Sequence, residues 1–310
     1  MKFRIYLHIG RHKTGTTQIQ QWLLKNREEL KKSGYYYPET GMSPTSGQGG
    51  LPWSIRFRGD HASIFNQLKG EILECGYRNI IISSEAFLEP GVWEDILFEY
   101  LADQMYDVRI IAYVRRQDEF FESSYNQAVK GAGRMCEPSK YHCRLDHGEV
   151  LSGWMKQFGR GKFSIGVYAK SLFINGDLVS DFCARIGVDP SGFTMLSSVA
   201  NRSLSRRSVE FIRVINKMQL PVAEREQLVA RFLVREDLHF EDTCPYFLSP
   251  ADRQSLIDQH IESNSSLAED YALTSDQLDY LTDRTDDRAW CPVSPLQLEE
   301  VAVNMYRLLI

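Results

Sequence analysis

Short apolar runs alternate with amphipathic segments along the first two thirds of the chain. The apolar runs are rich in Ile, Val and Tyr and end at Gly or polar residues, which is typical of buried strands. Between them, apolar residues recur at helical spacing, as Ile19, Trp22 and Leu23 do. The pattern predicts strands at residues 3–9, 79–84, 108–114 and 163–168, and helices from Ile19 to a stop at Gly34 and at residues 62–74, 92–105, 118–130 and 178–186.

This alternation of strands and helices indicates the fold class. Strand–helix–strand units place parallel strands in one sheet and helices on its faces. We therefore predict an α/β fold with a three-layer arrangement, a parallel β-sheet flanked by helices. Ligands of such sheets bind at the carboxyl ends of the strands, so each strand end is a candidate site.

The last third of the chain differs, because its pattern is helical throughout. Helices are predicted at residues 205–218, 223–234, 250–261 with Ser249 as the cap, and 296–309. Two stretches rich in Gly and polar residues, 39–59 and 131–147, predict long loops. We expect one domain over residues 1–310, with an α/β core at 1–190 and a mostly helical C-terminal subregion at 200–310.

Composition and charge narrow the functional classes. The formal net charge of −5 argues against a dedicated nucleic-acid binder, because such domains carry a basic surface. No stretch approaches the roughly 20 apolar residues of a membrane span. The first residues lack the apolar core of a signal peptide, and the six cysteines are scattered, so we expect reduced thiols and a cytoplasmic protein.

The first strand ends in a loop with the length of a phosphate-binding loop. Residues 10–17 read GRHKTGTT, and Gly10 and Gly15 match the two glycines of G-x-x-x-x-G-K-[ST]. Thr16 occupies the position of the usual lysine, and a lysine stands earlier, at Lys13. Backbone N–H groups and the following helix start suit an oxyanion, but the lysine that reaches the β- and γ-phosphates of a triphosphate is missing.

The run Lys13-Thr14-Gly15-Thr16-Thr17 resembles the 5′-phosphosulfate loop of sulfotransferases that use 3′-phosphoadenosine 5′-phosphosulfate (PAPS). The longer run over residues 8–20 is similar to bacterial members in particular. The resemblance covers roughly the first 130 residues and implies the sulfotransferase version of the P-loop fold, with PAPS as co-substrate and no metal. It implies a cofactor-binding loop made of Arg11, His12, Lys13, Thr14, Gly15, Thr16 and Thr17.

A second match follows the third strand. In the family, an arginine at a strand end and a serine eight positions later bind the 3′-phosphate, and Arg115 and Ser123 have that spacing. Arginine offers a rigid fork that fits phosphate oxygens. Tyr125 matches an aromatic residue often found after the serine, whereas Gln117 replaces a common proline. Arg116 and Ser124 have the same spacing and are the alternative pair.

Glu85 follows the second predicted strand and is our candidate for the general base, because glycan-modifying sulfotransferases use a glutamate in a similar place. The alternative is that it caps the next segment or pairs with a cation. His12 and His142 are the other candidate bases. By the same resemblance, Lys13 is assigned a catalytic role, the stabilisation of charge on the leaving phosphate.

Other polar clusters carry weaker signals. Cys136, His142, Cys143 and His147 fit no common zinc spacing, so we predict no metal site. The basic segment at residues 201–207 is either a loop over the nucleotide or a helix start capped by Ser203 or Ser205. The aromatic residues Trp53, Tyr141 and Trp154 are either platforms for a sugar ring or packing residues.

Three hypotheses about function remain at this point. The first is a PAPS-dependent sulfotransferase acting on a small-molecule or glycan acceptor, with a carbohydrate hydroxyl as the first candidate. The second is a P-loop kinase or NTPase, which requires a Walker lysine and an Asp for Mg²⁺ at a strand end; neither is found. The third is a nucleotide-binding protein without catalysis on the same scaffold.

Overall fold

The computed structural model describes residues 2–44, 47–58, 61–89, 91–92, 94–195, 204–242, 244–284 and 290–310. Its strands are β1 (Phe3–His8), β2 (Tyr35–Tyr36), β3 (Asn79–Ser83), β4 (Tyr106–Val114) and β5 (Phe163–Val167). Its α-helices are α1 (Thr16–Lys25), α2 (Arg27–Lys32), α3 (Gly50–Trp53), α4 (His61–Glu74), α5 (Glu94–Leu101), α6 (Gln117–Lys130), α7 (His147–Phe158), α8 (Leu178–Ile186), α9 (Arg206–Lys217), α10 (Val222–Val234), α11 (Pro250–Asp258), α12 (Ile261–Tyr271), α13 (Ser275–Thr282) and α14 (Leu298–Leu309).

The five strands form one parallel sheet in the order β2-β3-β1-β4-β5. Strand β1 lies between β3 and β4, and His8 at its end is level with Ser83 of β3 and Ile111 of β4. The chain therefore leaves β1 toward one side of the sheet and later crosses to the other side. In open α/β sheets, this switch is where ligands bind.

Alternate residues of the strands enter two separate cores. Ile5, Leu7, Ile80 and Ile110 belong to the core on one face, whereas Tyr6, Ile81, Ile111 and Tyr113 belong to the core on the other. Helices α4, α5, α7 and α12 supply the first core, and α1 and α8 supply the second. The predicted α/β fold with a three-layer arrangement is confirmed.

Several predicted elements differ from the structure in extent. The predicted helix at 92–105 is shorter, Glu94–Leu101, and the one at 250–261 ends at Asp258. Part of the predicted loop at 39–59 is helical, with α3 followed by a π-helical turn at Ser54–Arg58. The sequence analysis also missed β2, α7, α12 and α13.

The helix predicted from Ile19 to Gly34 is broken into α1 and α2 at Asn26. The side-chain Nδ2 of Asn26 donates to the Trp22 carbonyl oxygen at 2.9 Å, and its Oδ1 accepts from the Thr194 amide at 2.8 Å. An asparagine side chain that bonds to backbone groups competes with the helical ladder, which explains the break. Gly34, with φ of 83°, lies just after the end of α2 and terminates the helix as predicted.

The chain divides into two compact units. The first contains residues 1–116, 146–199 and 260–282, and with them the sheet; the second contains residues 117–145, 200–259 and 283–310 and is helical in its described part. The predicted organisation as a single domain, with subregions at 1–190 and 200–310, stays a prediction. None of the described helices combines the length and apolar character that crossing a bilayer requires.

The second unit has its own core and buried ion pairs. Its apolar cluster joins α6, α9 and α10 through residues such as Val129, Phe211 and Phe232. Beside it, Arg253 donates to Asp118 Oδ2 from Nη2 at 2.6 Å, and both side chains are almost fully buried. Because burying a charge is costly, each of these groups depends on the other.

We expect Asp118→Ala to destabilise the second unit by about 3–5 kcal/mol, since Arg253 would keep its buried charge without its carboxylate partner. The free energy of unfolding from urea titration measures this loss. Asp237→Ala is the matched control, because the ion pair between Arg235 and Asp237 is exposed and such pairs contribute little. Equal losses in the two variants would contradict the assignment of the Asp118–Arg253 pair as a stabilising contact.

Candidate functional site

Three strand ends that carry unusual polar residues are neighbours in the sheet. The loop at residues 10–15 follows β1, Glu85 follows β3, and Arg115 follows β4. The amide of Ser84 donates to the His8 carbonyl oxygen at 3.0 Å, which joins the end of β3 to the end of β1. The chemistry predicted for separate segments therefore lies along one edge of the sheet within the first unit.

The loop after β1 turns through left-handed backbone conformations. Gly10, Lys13 and Gly15 have φ of 25°, 67° and 78°. Glycine adopts such values at little cost, whereas lysine does so only under constraint from its surroundings. The Thr14 hydroxyl donates to the Arg11 carbonyl oxygen at 2.6 Å, which closes the turn from inside.

Helix α1 begins at Thr16, directly after Gly15, and no side chain of the described residues caps its start. The first N–H groups of a helix have no partner within the helix, and their dipoles favour an anion. Thr17 is exposed here, whereas Thr14 and Thr16 are buried. The Thr14 hydroxyl bonds within the loop, and the binding roles predicted for residues 11–17 stay predictions.

The structure brings Lys13 and Arg115 together. Arg115 Nη1 donates to the Lys13 carbonyl oxygen at 3.1 Å. Burial and the positive charge of Arg115 both lower the pKa of the Lys13 ammonium group. An anion beside these two cations would reduce their mutual repulsion, so the pair favours phosphate or sulfate.

Tyr168, which follows β5, completes this part of the site and was missed in the sequence. The Arg115 guanidinium lies over the Tyr168 ring, 5.2 Å from its centre. The same ring borders Gly15, where a Cβ atom would approach Tyr168 Cε2 to 2.9 Å and Leu178 Cδ2 to 2.2 Å. A Cβ atom at position 15 would therefore require the Leu178 and Tyr168 side chains to shift.

The alternative arginine, Arg116, has a different environment. Its side chain is buried, and its guanidinium lies over the Tyr280 ring, 5.2 Å from the centre. Arg115 is the arginine that donates to the Lys13 carbonyl oxygen in the loop. Ser123 is half-buried at the end of the second turn of α6, in the second unit, so its pairing with Arg115 stays a prediction.

Glu85 opens a 3₁₀ turn (Glu85–Leu88) after β3, and Ser84 caps this turn by accepting from the Ala86 amide at 3.3 Å. Glu85 is half-buried, and its Oε2 accepts a 2.7 Å hydrogen bond from Gln20 Nε2 on α1. The carboxylate is thus held against the helix that follows the loop. The sequence analysis did not identify Gln20 as a site residue. A single polar residue on the apolar face of a predicted helix does not by itself indicate a partner.

Glu85 lines a cavity of about 310 Å³ in the first unit. The other lining residues are polar side chains, loop glycines and two aromatic residues: His12, Gln20, Ser43, Gly47, Gly49, Trp53, Arg56, Phe57, Ser84, Ala86 and Glu89. Trp53 and Phe57 are 47% and 69% exposed, which leaves apolar ring surface available at the cavity. The cavity is at the small end of the range for ligand pockets.

A glutamine fixes the segment that forms one wall of the cavity. Gln48 accepts from the Ser83 amide through Oε1 and donates its own amide to the Ser83 carbonyl oxygen, both at 2.8 Å. Gln48 thereby pairs with the end of β3 much as a neighbouring strand would. The predicted long loop is consequently anchored beside Glu85.

His12 lines the cavity and contacts Glu89, which lines it as well. His12 Nε2 lies 2.5 Å from Glu89 Oε1, and Arg56 Nη1 donates to Glu89 Oε2 at 3.1 Å. The hydrogen bond with His12 lowers the pKa of the Glu89 carboxyl, against the effect of partial burial, and Arg56 adds to the lowering. Arg56 and Glu89 were missed because their partners are distant in the sequence.

Other candidate residues lie elsewhere. His142 is exposed in the second unit, and Trp154 is buried in the core against Phe87, so Trp154 is a packing residue and not a sugar platform. Tyr141 packs against Phe121 within the second unit. Over the described part of the chain, no group of three or more His, Cys, Asp or Glu side chains is placed to hold a metal ion.

Of the two residues predicted to cap the helix in the basic segment, Ser205 is the N-cap of α9. Ser205 Oγ accepts from the Ser208 amide at 3.1 Å. Arg206 is buried against Asp242, with its Nε 2.9 Å from Oδ2, and Arg207 donates to Glu300. Residues 201–203 lie outside the described residues. Arg206 and Arg207 thus serve the second unit.

Comparisons with known proteins give limited similarity. No family model matches the chain. A protein of Archaeoglobus fulgidus, described as uncharacterized, is 31% identical over 200 residues, which are 64% of this chain; the chain spans 55% of that relative's length. The crystal structure of a sulfotransferase from Alicyclobacillus acidocaldarius aligns with a TM-score of 0.39 and 15% identity, over 73% of this chain and 95% of that one. A similarity at this level does not assign a family.

We expect Gly15→Ala to destabilise the protein through two separate costs. A left-handed conformation costs a non-glycine residue about 1–2 kcal/mol, and forcing a methyl group against Leu178 costs roughly 1–3 kcal/mol more. The change in the free energy of unfolding, obtained from the midpoint and slope of a urea titration, measures the sum of the two costs.

Gly34→Ala is the matched control for this prediction. Gly34 has a similar φ of 83°, but a Cβ atom there would meet nothing within 4 Å. The difference between the two variants isolates the contact with Leu178. Equal losses would mean that Leu178 and Tyr168 move aside without cost.

Proposed function

We propose that this protein transfers the sulfonyl group of PAPS to an acceptor hydroxyl, with a carbohydrate hydroxyl as the first candidate. The observation that carries the proposal is the contact between Lys13 and Arg115 at the ends of β1 and β4. It joins the two segments that resemble the 5′-phosphosulfate loop and the 3′-phosphate site. A nucleotide with phosphate groups at both ends matches this pair of cations better than a nucleoside triphosphate does.

The proposed chemistry is a direct substitution at sulfur. The acceptor oxygen forms a bond to sulfur as the bond between sulfur and the bridging phosphate oxygen breaks. The acceptor proton passes to the Glu85 carboxylate, and the products are a sulfate ester and adenosine 3′,5′-bisphosphate. Lys13 and the start of α1 stabilise the negative charge that develops on the leaving phosphate oxygen.

The cavity beside Glu85 is the proposed acceptor site. Its volume of about 310 Å³ suits a ligand of one or two rings. Trp53 and Phe57 offer apolar surface to a ring face, while Gln20, Ser43 and Ser84 offer hydrogen-bond partners. The combination of an aromatic wall, polar groups and a carboxylate favours an uncharged acceptor with several hydroxyl groups.

The absence of a lysine after Gly15 in the sequence speaks against a kinase or NTPase. Residue 16 is a threonine whose side chain is buried beneath the loop. The order of the sheet does not separate the two enzyme classes, since both bind ligands at the switch beside β1.

Adenosine 3′,5′-bisphosphate should raise the melting temperature of the protein, whereas ATP with Mg²⁺ should not. A ligand present at 100 times its Kd adds about 2.7 kcal/mol of stability. Thermal-shift titration with each nucleotide measures the effect. Stabilisation by ATP with Mg²⁺ alone would favour the kinase hypothesis, and stabilisation by neither would favour a protein without this nucleotide site.

The variant Lys13→Gln tests, in the same thermal-shift titration, whether the loop after β1 binds the bisphosphate. A hydrogen bond to a charged group contributes about 1.5–3 kcal/mol, so its loss should weaken bisphosphate binding by about 10- to 100-fold. Lys25→Gln is the matched control, because Lys25 is exposed at the opposite end of the same helix, α1. If both variants bind as the wild type does, Lys13 has no contact with the phosphate.

Glu85→Gln should lower kcat by about 10²- to 10⁴-fold, the range for removal of a general base. Binding of the bisphosphate should be unchanged, because the Gln20 hydrogen bond can still be accepted by the amide oxygen. Turnover is measured with labelled PAPS and a panel of glycan and small-molecule acceptors. Glu99→Gln, on the exposed side of α5, is the control.

An unimpaired Glu85→Gln enzyme would remove Glu85 from the mechanism. His12 is then the next candidate base, since it lines the same cavity and contacts Glu89. The variants His12→Gln and Glu89→Gln would test that alternative in the same assay.

A further inference from the structure

His147 lies between the two segments assigned to the nucleotide. It is the first residue of α7, whose start is capped by Asp146 through a 2.8 Å hydrogen bond from the Glu149 amide. The imidazole is 1% exposed. Its Nδ1 contacts Arg11 Nη1 in the loop after β1, and its Nε2 lies 2.8 Å from the Arg115 carbonyl oxygen at the end of β4.

The two contacts fix the protonation state of the ring. A guanidinium group only donates hydrogen bonds, so Nδ1 facing Arg11 must carry the lone pair. A carbonyl oxygen only accepts, so Nε2 facing Arg115 must carry the proton. The neutral imidazole with its proton on Nε2 satisfies both partners at once. Burial, the charge of Arg11 and the nearby His260 hold the pKa of His147 well below its usual value, although the bond to Arg115 opposes this.

These contacts form a closed ring of hydrogen bonds that joins the loop after β1, His147 and the end of β4. Arg11 contacts His147, His147 donates to the Arg115 backbone, and Arg115 donates back to the backbone of Lys13. Lys13 is two residues from Arg11 in the same loop. A shift of the β1 loop relative to the end of β4 would break at least one of these bonds.

We propose that His147 is a positioning residue that sets the distance between the 5′-phosphosulfate loop and the strand end that carries Arg115. The inference depends on the proposed function, because it assumes that one nucleotide spans both segments. Such a residue touches no ligand itself, but it removes the freedom of two anion-binding segments to move apart. Binding of a ligand that engages both segments then costs less ordering.

The experiment compares a ligand with two phosphates against ligands with one. Dissociation constants are measured by calorimetry for adenosine 3′,5′-bisphosphate, adenosine 5′-monophosphate and adenosine 3′-monophosphate, on wild type and His147→Leu. We expect bisphosphate binding to weaken by about 10- to 100-fold, the range for residues that orient ligating groups from behind. Binding of each monophosphate should change less than threefold, because either segment can still bind alone.

Two conservative variants divide the contacts of the ring. In His147→Asn, the amide oxygen takes the place of Nδ1 and can keep Arg11; in His147→Gln, the amide nitrogen takes the place of Nε2 and can keep the Arg115 carbonyl. We expect each to recover part of the bisphosphate affinity lost in His147→Leu. They also keep the test valid if the leucine variant does not fold.

His239→Leu is the control, since His239 Nε2 likewise contacts a backbone carbonyl oxygen, that of Phe232 at 2.9 Å, but in the second unit. Equal weakening of all three ligands in the His147 variants, or no weakening, would overturn the positioning role while leaving the proposed function intact. Failure of the wild type to bind the bisphosphate would instead overturn the proposed function and the inference with it.

Discussion

The parallel pairing of β1 with both β3 and β4 is the constraint on which the candidate site depends. Because His8 is level with Ser83 on one side and Ile111 on the other, the chain leaves all three strands near one point of the sheet edge. This pairing brings together residues that are about 70 and 100 positions apart in the sequence. Two apolar cores pack against the two faces of the sheet and stabilise this arrangement.

Much of the α/β part could be predicted from the sequence because it follows from local patterns. Buried parallel strands are continuous apolar runs, and the loop after β1 has glycines at two of the three places where its backbone is left-handed. The end of α8 at Gly187 and the cap of α9 at Ser205 are likewise local signals, and the structure has both.

What the sequence did not indicate depends on contacts between distant segments. The helix break at Asn26 requires Thr194, the anchoring of the cavity wall requires Gln48 beside Ser83, and the state of His147 requires Arg11 and Arg115. In each case, a side chain forms hydrogen bonds with backbone or charged groups far along the chain. Residue types and spacing carry no information about such partners, so His147 looked like one member of an improbable metal cluster.

Under the proposed function, stability and ligand binding make opposite demands on Lys13. A lysine with φ of 67° adopts a conformation that costs free energy in the folded state, and a glycine there would remove that cost. Selection for a more stable fold and selection for a cation at this point therefore act in opposite directions at position 13. Under the proposed function, a Lys13→Gly variant selected for heat resistance would gain stability and lose affinity for the anionic co-substrate.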